Sequence, residues 1–220
     1  MRHFPVFFDL QEKSCIVVGG GRVAERKIQN LRKAGAVVTV VSPCLSAGLK
    51  RLKEANRIKH LPRPYRTGDL RTAYLAVAAT DDRRINEKVF REASGLRIPV
   101  NVVDDPVHCS FIVPAVVSRG DILIAISTGG QSPALAKALR KRLQQEIGAE
   151  YPTLLKMAGA IRKKIIPLGW GQRKNRDIYR RLFQEDVLEL VRQRKHAALN
   201  RLLKKTVGPG FSLEEMGLKT

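Results

Sequence analysis

The chain has 220 residues, 44% hydrophobic and 28% charged, which is long enough to bury a core and ordinary for a soluble globular protein. No apolar run approaches the roughly 20 residues of a membrane span, and Met1-Arg2-His3-Phe4-Pro5 lacks the apolar stretch and cleavage site of a signal peptide. Three scattered cysteines, never in a CxxC pair, offer neither a disulfide framework nor a structural zinc site, so a reducing cytoplasm is expected.

The first half alternates strand and helix. Ser14–Gly19 is a β-branched apolar run ending in glycines, a buried strand. Val23–Ala34 carries Val23, Ala24, Ile28, Leu31 and Ala34 near helical spacing, and Gly35 stops it. Val37–Val41 is the next strand, broken by Ser42-Pro43. Leu45–Ala55 reads as a helix, and Ile58–Leu61 as a short strand before the Pro62/Pro64 loop. Tyr74–Ala79 is a strand, Asp82–Ala93 a helix capped by Asp81 or Asp82, and Pro99–Val103 a further strand. The repeated β-α-β order predicts an α/β fold with a parallel Rossmann sheet and right-handed crossovers.

The pattern then changes. Phe111–Val117 and Ile122–Ser127 flank Ser118-Arg119-Gly120-Asp121 and predict an antiparallel hairpin. Ser132-Pro133 supplies an N-cap and an N1 proline for a helix to about Ile147. Beyond Gly148 the chain reads as helical over Tyr151–Ile165 and over Asn175–Lys205 with breaks, and the stretch from Gly208 to Thr220 as loosely held. The expected division is a nucleotide domain over 1–113, a small α+β segment over 114–148 and a basic helical domain over 149–220.

Gly19-Gly20-Gly21-Arg22-Val23-Ala24 matches G-x-G-x-x-A between a predicted strand and a predicted helix. The first glycine permits a tight turn and the second lets backbone N–H groups approach a pyrophosphate. Ala24 lets helix and strand pack closely. The loop and its neighbours Arg22 and Val23 are therefore candidate dinucleotide contacts. The second strand ends in Ser42-Pro43 where an acid normally bonds the adenosine ribose; a serine hydroxyl can bond the 2′-OH, less strongly. No arginine directly follows that strand to receive a 2′-phosphate, which favours NAD over NADP.

From Lys137 to Lys205 there are 19 basic and 6 acidic residues, part of a net charge of +21, and such a surface attracts polyanions. Nucleic acid and a small polycarboxylate fit equally well on charge. Aromatics are only 5% of the chain, and Arg162-Lys163-Lys164 and Arg192–Lys195 have none interleaved, which argues against base stacking. Neither a nucleic acid nor a membrane is the expected partner.

Six ordered segments make the reading more specific: Phe4–Phe7, GGGRVAERK (Gly19–Lys27), AATDD (Ala78–Asp82), NVVDD (Asn101–Asp105), FIVPA (Phe111–Ala115) and ISTGGQSPALA (Ile126–Ala136). Over residues 3–145 they resemble precorrin-2 dehydrogenase, the dehydrogenase/ferrochelatase module of siroheme synthase; the helical remainder is similar only in character. The resemblance implies that NAD⁺ accepts hydride from precorrin-2, a polycarboxylate tetrapyrrole, giving sirohydrochlorin, with Fe²⁺ insertion in some members. It also implies a homodimer formed through the hairpin-containing domain.

Asp104 is the candidate catalytic residue, because it follows a strand at the carboxyl edge where open α/β sheets bind ligands. The reaction loses a hydride and a proton, and a carboxylate there could take the proton. The family's matching aspartate has this role; on physical grounds alone Asp105 is a rival, and Asp-Asp-Pro is also a turn signal. Thr80 and Asp81 end another strand at the same edge and are candidates for the nicotinamide side, with capping an equal explanation for Asp81. Asn101 reads as structural. Ser127 and Thr128 precede a helix whose N–H groups could hold a substrate carboxylate. Adjacent His108 and Cys109 lack further spaced ligands, so no resident metal site is expected. A non-catalytic NAD-sensing module is the alternative from another class, and it would need no proton acceptor at Asp104.

Overall fold

The computed structural model describes residues 3–218, which divide into two compact units between Val113 and Pro114. The end residues Met1, Arg2, Lys219 and Thr220 lie outside the described residues, as do the parts of the N- and C-terminal expectations that fall on them.

The first unit is a parallel sheet in the order β3-β2-β1-β4-β5. Its strands are β1 (Ser14–Val18), β2 (Val37–Val41), β3 (Lys59–Leu61), β4 (Leu75–Ala78) and β5 (Val100–Val102). The helices are α1 (Arg22–Lys33), α2 (Ala47–Glu54) and α3 (Arg83–Gly95). Strands β1, β4 and β5 are largely apolar and almost wholly buried, β2 is mostly buried past its first residue, and β3 is a largely exposed edge. Residues Cys15, Val17, Val38, Val40 and Val77 pack with Ala24, Ile28 and Leu49 on one side. Ile16, Val18, Val41, Ala76 and Val102 pack with Val89 and Ala93 of α3 on the other. The two clusters follow the period-2 alternation of strand side chains.

Strand neighbours show why ligands belong at one edge. From β1 the chain steps to β2 on one side and later to β4 on the other. The carboxyl ends of β1 and β4 therefore flank a topological switch point, the binding crevice of open α/β sheets. Ser46 caps α2 through its hydroxyl to Leu49 N, 3.3 Å away. Asp82, not Asp81, caps α3, accepting from the N–H groups of Arg84 and Ile85.

The second unit opens with an antiparallel pair, β6 (Ala115–Arg119) and β7 (Ile122–Ile126), turned at Gly120. The first strand starts at Ala115, four residues later than expected, because Phe111 carries its carbonyl to Asn101 of β5 instead. α4 (Pro133–Glu146) lies against the hairpin, and Arg119 donates to the carbonyls of Gln144 and Ile147 at its C-terminal end. Then come α5 (Glu150–Ile165), α6 (Gln172–Leu182), α7 (Glu185–Arg192) and α8 (His196–Thr206). What reads as one interrupted helix over 175–205 is thus three, with Arg194 in a left-handed turn (φ 53°) between the last two.

The expected loose tail is a correction. Phe211 and Leu213 are buried in the helical core with Met157, Ile161, Leu199 and Leu203. Asn200 Oδ1 accepts from Leu213 N at 2.8 Å, and Lys164 Nζ donates to Gly210 O at 2.8 Å. The Gly208-Pro209-Gly210 segment, which looks like a terminator, is a turn that brings these side chains back, with Gly208 and Gly210 at positive φ. Among the described residues no helix is long and apolar enough to cross a membrane.

Candidate active site

The glycine loop divides its labour. A Cβ on Gly19 (φ 123°) would stand 2.2 Å from the carbonyl oxygen of Ala79, and one on Gly20 would stand 1.9 Å from that of Cys44. These two glycines let the β1, β2 and β4 ends close against one another. A Cβ on Gly21 would meet nothing within 4 Å. Gly21 is the N-cap of α1 and offers no side-chain cap, so the first N–H groups of the helix are left for a ligand. α6 also starts uncapped at an open glycine, Gly171, and what distinguishes the α1 start is its place at the switch point of the sheet, where open space and free N–H groups fit a pyrophosphate.

Ser42 is mostly buried at the end of β2. Its hydroxyl donates to Cys44 O at 2.7 Å, which leaves the oxygen as an acceptor for a ribose hydroxyl. Pro43 is exposed beside it. Thr80 is less available: its hydroxyl donates to Asn86 Oδ1 at 2.8 Å, and Asn86 Nδ2 returns a bond to Thr80 O at 2.9 Å. That exchange locks the β4 turn. Asp81 is exposed, and the capping role belongs to its neighbour.

The Asp-Asp-Pro segment separates its two acids. Asp105 caps the 3-10 turn Pro106–His108 and holds His108 Nδ1 at 2.6 Å. That hydrogen bond keeps its carboxyl below the usual carboxylate range. Asp104, at φ 58°, is exposed and makes no side-chain hydrogen bond among the described residues. A non-glycine residue in the left-handed region costs free energy, and Asp tolerates it better than most. The turn aims Asp104 into a cavity of about 490 Å³, lined also by Val23, Thr80, Asp81, Asn86 and Val103. A depression of about 540 Å³ in the second unit, beside Arg173 and Lys174, holds none of the expected site residues.

Behind Asp104 is a residue the sequence reading passed over. Lys27 of α1 reaches across to β5 and donates to Asn101 Oδ1 at 2.9 Å, while Asn101 Nδ2 donates to Phe111 O at 3.1 Å. Burial, then the charge of Arg26, lowers the Lys27 pKa, and the charges of Cys109 and Asp104 oppose that shift. Asn101 is structural, as expected. The signal for Lys27 was its place on the buried stripe of α1, three residues after Ala24 and beside Ile28. Cys109 lies half-buried in the same knot, its thiol donating to Val102 O at 3.2 Å, and burial raises its pKa. His108 bonds the Asp105 carboxylate while the Cys109 thiol faces the carbonyls of Val102 and Asp105, and among the described residues no three potential ligands gather for a metal.

Ser127 and Thr128 belong to the second unit. Ser127 Oγ accepts from Gly129 N at 3.1 Å, and Thr128 Oγ1 donates to Ser132 O at 3.1 Å. Ser132 caps α4, accepting from Leu135 N at 3.2 Å. The carboxyl edge of the first unit therefore brings together Gly19–Val23, Ser42, Thr80, Asp81 and Asp104, and leaves Ser127 and Thr128 outside that set.

A family model described as putative NAD(P)-binding matches residues 6–115, half of the chain. The chain belongs to this NAD(P)-binding family. A model described as sirohaem biosynthesis protein central matches residues 119–146, the hairpin end and α4. A siroheme synthase of Thioalkalivibrio sulfidiphilus is 41% identical over 217 residues, covering 99% of this chain and 44% of that protein. One of Methylobacillus flagellatus is 44% identical over 191 residues, covering 87% of this chain and 40% of that protein. The chain spans less than half the length of these relatives. Among solved structures, that of SirC, a precorrin-2 dehydrogenase, is 26% identical with a TM-score of 0.73, covering 93% of this chain and 98% of that one. The resemblance carried by the six motifs is borne out, and it extends into the helical region where the motifs stop.

Proposed function

We propose that the chain is an NAD-dependent dehydrogenase that converts precorrin-2 to sirohydrochlorin. One observation carries the reading: an uncapped helix start over Gly21 and an uncommitted carboxylate, Asp104, share the carboxyl edge of one sheet. NAD⁺, when bound, supplies the hydride acceptor. Gly19, Gly20 and Gly21 with the N–H groups of Arg22 and Val23 hold the pyrophosphate, and Ser42 with Pro43 flanks the ribose. Thr80 and Asp81 shape the nicotinamide side. Asp104 takes the proton lost as hydride leaves, so that the substrate's two hydrogens depart as hydride and proton. Asp105 is unsuited to that task because His108 already occupies it.

The substrate side follows the charge. In the helical region the acids are spent on ion pairs, such as Arg192 with Glu150 and Arg181 with Asp186, which leaves a cationic excess for a polycarboxylate tetrapyrrole. Ser127 and Thr128 serve as further carboxylate contacts. The proposal extends to Fe²⁺ as a second substrate, to a cytoplasmic location, and to a homodimer formed through segment 114–148, with 149–220 as the basic helical domain. Supporting the dimer, Val116 and Leu123 are exposed on the hairpin face that alternation turns away from α4.

The test is anaerobic incubation with precorrin-2 and NAD⁺, following NADH and tetrapyrrole absorbance. NADH formation supports the reading, and its absence from a folded preparation sinks it. Sirohydrochlorin with Fe²⁺ tests metal insertion separately, and sedimentation tests the dimer.

A further inference from the structure

Asp104 sits among acids. Asp81 and Asp105 line the same cavity, and of the three only Asp105 has an ionic partner among the described residues, His108. A polycarboxylate brought to Asp104 therefore meets like charge, which repels it. A single cation stands among the residues that line the cavity, Arg83.

Arg83 is the first residue of α3, and its backbone is fixed on both sides. Asp82 Oδ1 accepts from Arg84 N at 2.8 Å. Asn86, only 7% exposed, is locked to Thr80 through Oδ1 and Nδ2. The side chain, by contrast, is uncommitted. Arg83 is exposed, and among the described residues its guanidinium pairs with no acid, Asp81 and Asp104 included. One helical stretch further on, Arg91 is spent on Glu87.

Its place separates it from the cofactor's phosphates. Helix α1 packs on one face of the sheet and α3 on the other. Arg83 thus lies across the carboxyl edge from the α1 start, and the cavity spans that edge from Val23 to Asn86, with Val103 and Asp104 between them. A planar fork of N–H donors on a rigid base matches a carboxylate held in two hydrogen bonds.

We infer that Arg83 binds a carboxylate arm of the substrate and so holds the tetrapyrrole at Asp104 against the repulsion of the neighbouring acids. The inference rests on the tetrapyrrole part of the function proposed above, and it places a substrate contact inside the nucleotide unit.

Two measurements on the full chain test it. One is binding of sirohydrochlorin followed by its absorbance, which needs no turnover. The other is anaerobic NADH formation with precorrin-2 varied at saturating NAD⁺. Arg83→Met keeps the reach of the side chain and removes its charge. It is expected to weaken sirohydrochlorin binding and raise KM for precorrin-2 by roughly tenfold, about the worth of one charge-assisted hydrogen bond. The loss should fall on KM rather than on kcat. Arg83→Lys should recover part of it, and the gap between the unaltered chain and Arg83→Met should narrow in high salt. NAD⁺ affinity by calorimetry should be the same in all three. Unchanged tetrapyrrole affinity in an Arg83→Met that binds NAD⁺ normally overturns the inference. So does an equal loss of NAD⁺ affinity, which assigns Arg83 to the cofactor instead. A chain that binds sirohydrochlorin through Arg83 yet forms no NADH supports the inference and sinks the dehydrogenase reading. An unaltered chain that binds neither tetrapyrrole sinks both.

Discussion

The two units spend their polar groups differently. In the helical unit the acids and several polar side chains are used on the unit itself, leaving a cationic excess: Arg119 closes the end of α4, Arg181 and Asp186 form a bidentate pair, and Asn200 ties α8 to the returning tail. In the nucleotide unit, groups are left over along one edge. The start of α1 has no cap, Gly21 faces open space, and Asp104 is held in a left-handed turn without a partner. Those omissions do nothing for stability, and they coincide at the switch point of the sheet. Helices α5–α8 also start without a side-chain cap, and Gly171 before α6 is as open as Gly21, so the mark of a ligand site is the coincidence of a free helix start with a free carboxylate at the switch point of the sheet.

The largest break to this contrast comes from the core of the helical unit. Ile161 is fully buried there, and Ile161→Ala should cost about 3 kcal/mol in denaturant unfolding. NAD⁺ affinity measured by calorimetry should stay unchanged. A matching loss of NAD⁺ binding would mean that the two units are not separable in this way.

The glycine loop sharpens the comparison within a single turn. Gly19→Ala forces a Cβ against the Ala79 carbonyl at positive φ, and should cost roughly 2–3 kcal/mol together with cofactor binding. Gly21→Ala meets no neighbour and sits at φ −83°, so its stability should stay within about 0.5 kcal/mol while NAD⁺ affinity falls. Thermal melts with and without NAD⁺ read both effects. Equal destabilisation by the two would contradict the division of labour.

Acid should act on the nucleotide unit through Asp69, by a smaller amount. Its hydrogen bond from Arg63 depresses the carboxyl pKa, so its contribution is present above the unfolded value, near 3.9. That contribution is lost as pH falls through the lower folded value. Unfolding followed below about pH 4 should show a shallower pH dependence in Asp69→Asn.

Much of the nucleotide unit is legible in the residues because each part has a local cause. Apolar β-branched runs give the strands, Gly19–Ala24 gives the turn, and Asp104 follows a strand end. What escapes is non-local. The Lys27–Asn101 bond joins positions 74 apart in sequence, and nothing in GGGRVAERK says where the lysine points. The choice between Asp104 and Asp105 needs the 3-10 turn that commits Asp105 to His108. In the helical unit the helices are legible by period. Their breaks are not, because Arg194 supplies a left-handed turn without glycine. The tail was misread because Gly208-Pro209-Gly210 signals a turn without saying whether the chain returns. Phe211 and Leu213 return it.

The most direct measurement is the initial rate of NADH formation from precorrin-2 under anaerobic conditions, for the unaltered chain and Asp104→Asn at saturating NAD⁺. Asparagine tolerates the left-handed turn, so the loop should hold and NAD⁺ affinity should persist. The unaltered chain should form NADH, and the variant should lose roughly 10²–10⁴-fold in rate. Undiminished NADH formation by Asp104→Asn, or none from an unaltered chain that is folded and binds NAD⁺, would contradict the account.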